Sequence, residues 1–383
     1  MASPVDVIVI GGGVMGLATA RALRQRGRSV ALLERGQPGQ AASWASAGIV
    51  SDPIGNGDEP GFRLERLSRQ LWPDFAEGLR AESGLDPELR ELGCLIPALS
   101  DDEAEALELA LRHGKIPGGK LLQGSELHDA EPSLGPDVVA GCWRPGGNVE
   151  NRRLCKALEL AARRAGVEIQ TGAEVRGLLV AGDRVKGVRL VDGDRLAEQV
   201  IVAAGAWSST IEGCRPNVPV VPQRGQILAV DRGPVDLRQV ILTPGDPYLV
   251  PRADGRIVVG ATRELAGWDA TPTAGGINWL LARAIQVVPA LAACPINQIW
   301  TGFRPLSPDG VPIIGRGALD GLWFVTGHGP SGIGPLPGTI ALLTALLFDE
   351  PPPLPPAPFD PLRFDGSSGF APSAHVSGDP TES

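Results

Sequence analysis

Short apolar runs recur along the chain, each closed by glycines or a turn pair, and several are followed by a stretch in which apolar residues return at helical spacing. That alternation predicts strands feeding helices, the signature of a parallel α/β unit. The run Val5–Ile10 opens the chain and breaks on Gly11, Gly13 and Gly16. A helix over 14–25 follows, with Ala18, Ala20 and Ala22 small enough for close packing, and a second apolar run over 29–33 ends on Glu34. Further helices are predicted over 62–79, 100–113 and 151–165, with strands at 167–170, 174–180, 184–190 and 200–202. From 218 to 259 the pattern changes to strands separated by turns (225–230, 248–250 and 256–259 after Asp254-Gly255), which implies a β-sheet unit. A helix over 276–288 stops at Pro289, and a strand over 298–304 leads into the turn Ser307-Pro308-Asp309-Gly310. The last strand, 321–326, opens into Gly327-His328-Gly329-Pro330-Ser331-Gly332 and an apolar helix over 338–348.

The first glycine turn carries a specific chemistry. Gly11 permits the tight turn, Gly13 lets phosphates approach bare backbone N–H groups, and Gly16 lets the helix pack against the strand. Glu34, eighteen residues after Gly16, is placed to accept hydrogen bonds from the hydroxyls of an adenosine ribose, and its charge would repel a ribose phosphate. Strand, turn, helix, strand and acid occur in the order of a dinucleotide grip. The alanine-rich segment 39–50 that follows, with Ser43 and Ser46, reads equally as a phosphate-contacting loop and as a helix capped by Ser43. Ala203-Ala204-Gly205 at the end of the 200–202 strand likewise admits either close ligand approach or a packed turn.

Composition narrows the partners. A chain of 383 residues is long enough for two domains, and a net charge of -9 gives no electrostatic case for nucleic acid or anionic membranes. Small molecules are the expected partners. Five cysteines without CxxC spacing and four scattered histidines point to buried thiols in a reducing compartment and to no metal site. No basic and apolar leader precedes the first strand and no apolar run has membrane-spanning length, so a cytoplasmic location is expected; homo-oligomerisation is left open.

Two glycine-rich helix starts at opposite ends of the chain suit a long bipartite cofactor such as FAD. One would hold the pyrophosphate and adenosine, and the other would set its positive end near the flavin's pyrimidine edge. At this point the residues resemble the glycine oxidase and D-amino-acid oxidase family of flavoproteins. The likeness rests on VIVIGGGVMGLATARAL with LLERG, then ASWASAGIV, GNVENRRLCKAL, IVAAGAWS, PYLVPRADGRIVVGAT, WTGFRPLSPDGVPIIG and GHGPSGI, in that order.

The resemblance implies an α/β fold: a Rossmann-like FAD-binding domain of the glutathione-reductase type, with an α+β substrate domain on a mostly antiparallel sheet. The FAD-binding domain would comprise 1–80, 141–215 and 311–364, and the substrate domain 81–140 and 216–310. It implies non-covalent FAD held by Gly11, Gly13, Val14, Met15, Gly16, Glu34, Arg35, Ser43, Ala47, Gly48, Ile49, Val175, Gly205 and Trp207, and by His328, Gly329, Ser331, Gly332, Ile333 and Gly334 of the late loop. It further implies that Arg304 and Tyr248, the one tyrosine in the chain, bind the carboxylate of a small amino acid or amine substrate (glycine, sarcosine, D-amino acid or imino acid). Its C–N bond would be oxidised by hydride transfer to the flavin.

The chain departs from the family in three places. The late loop carries Pro330 and Ser331 where relatives have the arginine and asparagine of GHxRNG, which removes one carboxylate contact and favours a larger or less polar amine. Thr301, Gly302 and Phe303 occupy the region where monomeric sarcosine oxidases attach flavin to a cysteine, excluding covalent attachment there. No lysine follows Lys186, so the oxygen-activating lysine of those enzymes lacks a counterpart; oxygen and a non-oxygen acceptor stay open as partners, and Arg263 is available as a substitute charge. An NAD-dependent dehydrogenase, which would leave the late glycine loop unexplained, and a non-catalytic flavoprotein are the remaining alternatives. The proline-rich stretch 351–358 should lie extended on the surface, 359–364 resembles the family's closing anchor, and 365–383 has a composition that predicts disorder.

Overall fold

The computed structural model describes residues 4–55, 57–243, 245 and 247–365, so all but the first residue of the tail expected to be disordered lies outside the described residues. The expected α/β architecture is the one the chain adopts, with two eight-stranded sheets. In the first, Val5–Ile10 lies between two parallel neighbours, pairing Val7 with Val30 and Val9 with Leu32 on one side, and Ile8 with Val200 on the other. Because this strand is covered on both faces, its residues read as one apolar run. Val7 and Val9 face a core shared with the helices Val14–Gln25, Pro60–Ser83, Asn151–Arg164 and Leu336–Leu347. Ile8 and Ile10 face the opposite core, beneath the meander Val175–Ala181, Arg184–Leu190 and Gly193–Val202.

The second sheet runs in the order Ile296–Leu306, Val221–Asp231, Arg256–Gly260, Tyr248–Pro251, Val240–Ile241, Cys94–Ala98, Ala140–Arg144 and Lys120–Gln123. It is antiparallel except where Val240–Ile241 meets Cys94–Ala98. The helix Ala274–Val287 buries Leu280, Ala284 and Val287 against it. Four of these strands, Val240–Ile241, Cys94–Ala98, Lys120–Gln123 and Ala140–Arg144, were not legible as strands, and the last places residues 141–144 in this sheet rather than in the first unit. Each is short, one carries Pro97, and none shows clean alternation, so pairing defines them more than pattern does. Ile49–Ser51 and Gly146–Asn148 pair as a separate two-stranded ribbon.

The described part of the proline-rich stretch is surface-lying, and Phe359 beyond it is buried in the helix-side core. All five cysteines are free and buried. No helix among the described residues is long and apolar enough to cross a membrane.

Candidate active site

The first glycine turn is shaped by backbone crowding. Gly11 has φ +105°, and a Cβ there would lie 2.5 Å from the Ala203 carbonyl oxygen; a Cβ on Gly16 would lie 1.9 Å from that of Gly11. Turn, helix and the end of the neighbouring strand therefore cross with no room for side chains at these two positions. Gly13 caps the helix with extended backbone and no side-chain hydrogen bond. The Val14 N–H donates to Ser43 Oγ at 3.1 Å, so Ser43 serves the first helix. It does not cap its own short helix, Ala42–Ala45, whose cap is Ala41. Glu34 accepts from the Gly12 N–H at 2.6 Å and the Gly36 N–H at 2.8 Å, which fixes its carboxylate beside the turn. Arg35 lies over the Trp207 ring at 3.5 Å, and Trp207 stacks on Trp268 at 4.7 Å.

The loop around Ser43 is held from behind by residues that were visible within matching motifs but had been given no role. Asn151 donates to the carbonyls of Ser43 (3.0 Å) and Trp44 (2.7 Å). The buried Arg252 donates to Val149 O, Ala47 O and Asn151 Oδ1, each at 2.9 Å, and pairs with Glu150 at 3.3 Å. Arg152 stacks over Trp44 at 3.7 Å. Three carbonyl or amide acceptors answering one guanidinium lock this loop against the strands.

Tyr248 and Arg304 stand on the second sheet, separated by two strands that supply glycine between them. Tyr248 pairs in register with Gly260, where a Cβ would lie 2.6 Å from the tyrosine hydroxyl. The Arg304 guanidinium lies over Gly225, where a Cβ would come within 2.5 Å of Nη1. Its Nη1 donates to the Thr262 carbonyl at 2.8 Å. Burial lowers the Arg304 pKa, with the charge of nearby Arg263 acting in the same direction, and burial raises that of Tyr248. At neutral pH the pair is a guanidinium and an intact phenol, both hydrogen-bond donors.

The late loop joins this sheet to the first. Gly329 N–H donates to Pro305 O at 2.8 Å, one residue beyond Arg304. His328 is buried, its Nε2 is 3.1 Å from Thr339 Oγ1, and burial pushes its pKa down to about 3, so it is neutral near pH 7. The helix Pro60–Ser83 clamps the other side, with Trp72 Nε1 donating to Gly334 O at 2.8 Å and Ser68 Oγ accepting from the Gly338 N–H at 3.0 Å. From the same helix Glu65 reaches the late loop. Burial pushes its pKa up to about 7, opposed by a hydrogen bond with Ser331 and by the charge of Arg144. Sequence patterning gave Glu65 only as a polar position on an amphipathic helix.

These elements enclose a cavity of about 530 Å³. It brings together Gly13, Val14, Met15, Ser43, Ala47, Gly48, Ile49, Gly205, His328, Gly329, Ser331, Gly332, Ile333 and Gly334, and with them Tyr248 and Arg304. Gly11 and Gly16 are packed behind this wall, Glu34, Arg35 and Trp207 lie outside the cavity, and Val175 is buried in the meander core. Glu65, Arg263, Leu242 and Trp279 line it as well. The lining suits FAD: Gly13 and Gly332 face the cavity as bare backbone, and a Cβ on Gly332 would meet nothing within 4 Å. The volume is that of a small-molecule site.

The chain matches the family described as DAO, FAD dependent oxidoreductase, over residues 6–346. It is 38% identical to glycine oxidase of Pseudomonas aeruginosa over 93% of this chain and 98% of that protein. Among solved structures, glycine oxidase of Geobacillus kaustophilus superposes with TM-score 0.87 at 30% identity, covering 94% of this chain and 98% of the other. Iminodiacetate oxidase of Chelativorans sp. BNC1 superposes with TM-score 0.84 at 28% identity, covering 93% and 98%. A match spanning nearly the whole chain, together with the glycine-lined cleft between its ends, makes this protein a member of the DAO family of FAD-dependent oxidoreductases.

Proposed function

We propose that the protein oxidises the C–N bond of a small amino acid or N-alkyl amino acid with non-covalent FAD, the cofactor held by the glycine turn with Glu34 and Arg35, by the Ser43 loop, Val175, Gly205 and Trp207, and by the late loop. The observation that carries this reading is the donor pair Arg304 and Tyr248, each laid over a glycine and both facing the cavity. A guanidinium and a phenol so placed bind a carboxylate by charge-assisted hydrogen bonds and leave its α-carbon fixed in direction. The similarity to glycine oxidases and to an iminodiacetate oxidase supports the same substrate class.

FAD supplies the two-electron acceptance. The chain's own residues orient the substrate and exclude water. No side chain needs to take the α-hydrogen as a proton: it leaves the carbon as hydride, the amine having entered neutral, and the resulting imine is hydrolysed to a carbonyl acid and an amine or ammonia. The buried His328 remains neutral and bonded to Thr339, a role in holding the late loop. A non-oxygen acceptor is favoured by one observation: no lysine lines the cavity among the described residues. A cytoplasmic location accords with five free cysteines.

The test is product analysis. FAD-loaded protein incubated with glycine, sarcosine, D-amino acids and cyclic imino acids, with an artificial acceptor present, should yield a carbonyl acid that phenylhydrazine traps. Trapped product from none of them, in protein that retains FAD, would exclude the proposed activity.

A further inference from the structure

Three side chains present unused donors to one part of the cavity. Among the described residues the Tyr248 hydroxyl donates to no acceptor, Arg304 uses only Nη1, and Arg263 makes no side-chain hydrogen bond or ion pair. Arg263 follows the strand Arg256–Gly260, where Arg224 and Glu264 exchange backbone hydrogen bonds at 2.8 and 3.0 Å. Ala261 and Arg263 face the cavity, while Thr262 and Glu264 turn away to bond Gln226 and Arg224.

Charge accounting sets the consequence. Glu264 is engaged by Arg224, Gln226 and Thr262, and Glu65, the one acid lining the cavity among the described residues, stands on another element beside Ser331. Arg304 and Arg263 are close enough for each other's charge to count. Two cations facing one cavity without a carboxylate between them repel, and a single α-carboxylate would neutralise only one of them. Arg263 is also the exposed member of the pair, at the rim, where a group extending past the reacting carbon would arrive.

We propose that the cavity selects an amino dicarboxylate: Arg304 and Tyr248 hold the carboxylate next to the reacting carbon, and Arg263 binds the second acidic group. This rests on the function proposed above and names its substrate class. The chemistry is unchanged. With iminodiacetate as substrate, one methylene carbon loses hydride to the flavin, the nitrogen's proton goes to solvent, and water splits the imine into glyoxylate and glycine.

The experiment compares iminodiacetate with sarcosine, which differ by one carboxylate, in FAD-loaded wild type and in Arg263→Met and Arg263→Lys, with flavin content confirming that each variant folds. Wild type should prefer iminodiacetate in kcat/KM by about tenfold or more, since a charge-assisted contact is worth roughly a factor of ten to a hundred. R263M should lose that factor in the ratio of kcat/KM for iminodiacetate to that for sarcosine, and R263K should restore part of it. Equal kcat/KM for the two compounds in wild type, or an equal fall for both in R263M, would overturn the proposal. Binding of malonate against acetate, read from perturbation of the flavin absorption, decides the matter without turnover. A dianion preference lost in R263M supports the assignment, and its absence in wild type overturns it. If no amine reduces the flavin but the dianion preference is found, the catalytic reading falls and the Arg263 subsite stands.

Discussion

Arg304 and Tyr248 depend on what is missing beside them. Gly225 and Gly260 have no side chains, and the guanidinium and phenol ring occupy that space. Gly225→Ala should therefore displace Arg304 and raise the KM for carboxylate substrates by about tenfold or more, with flavin content unchanged, because the methyl falls on the guanidinium and away from the cofactor loops. Steady-state kinetics with a flavin spectrum checks this; an unaltered KM would show that the guanidinium does not anchor substrate. Glu65 titrates in the opposite sense from an ordinary surface carboxylate. Its folded pKa, about 7, lies above the unfolded value of 4.5, so its contribution to stability is fully present below about pH 4.5 and is lost as pH rises through 7. Glu65→Gln should be more stable than wild type at pH 8, with the difference shrinking toward zero below pH 4.5. Thermal unfolding across that range tests it, and a pH-independent difference would contradict it. At this scale the motifs singled out Tyr248 and Arg304, which the fold brings to the cavity, whereas Glu65 was not legible, because its burial comes mainly from packing against the late loop and Arg144, distant along the chain.

Among elements, those with strong periodicity matched their predicted positions closely: Val14–Gln25, Asn151–Arg164 and Leu336–Leu347 differ from expectation by a residue or two at their ends. The strand Val5–Ile10 and its glycines were legible because a continuous apolar run and a glycine-rich turn mark them in the local sequence. The four strands missed on the second sheet are defined by partners far along the chain, as when Cys94 pairs with Arg144 and Val240 with Cys94. The Ser43 loop shows the same limit: its sequence allowed a self-capped helix, and the fold instead assigned Ser43 to Val14 and handed the loop's carbonyls to Asn151 and Arg252. Arg252→Met removes a buried donor to three acceptors and leaves Glu150 only the longer Arg256 pairing at 3.8 Å and the Arg152 N–H, a loss of about 3 kcal/mol for breaking a buried charged pair. The variant should unfold at lower temperature and release FAD more readily on dilution. Unchanged melting and flavin retention would show that the loop holds without it.

Across the whole molecule, the first and last glycine loops meet at one cleft. The glycine turn at 11–16 and the late loop at 327–334 belong to one sheet, on which Leu322–Thr326 and Val5–Ile10 flank the strand Gly193–Val202. The second sheet brings Tyr248, Arg263 and Arg304 over the cleft between them. This convergence was readable from two glycine-rich helix starts in one sequence, though the depth and charge of the cleft were not, since they arise from strands of the second sheet. In the proposed reaction one FAD in this cleft would accept electrons from the C–N carbon of an amino acid whose carboxylate Arg304 holds. Anaerobic mixing of FAD-loaded wild type and Arg304→Ala with an amino-acid substrate, followed at the flavin's visible absorption band, tests it most directly. Bleaching in wild type that needs substrate concentrations at least about tenfold higher in the variant is the expected result. Bleaching at the same concentrations in both proteins, or no bleaching in wild type by any carboxylate amine, would contradict the claim.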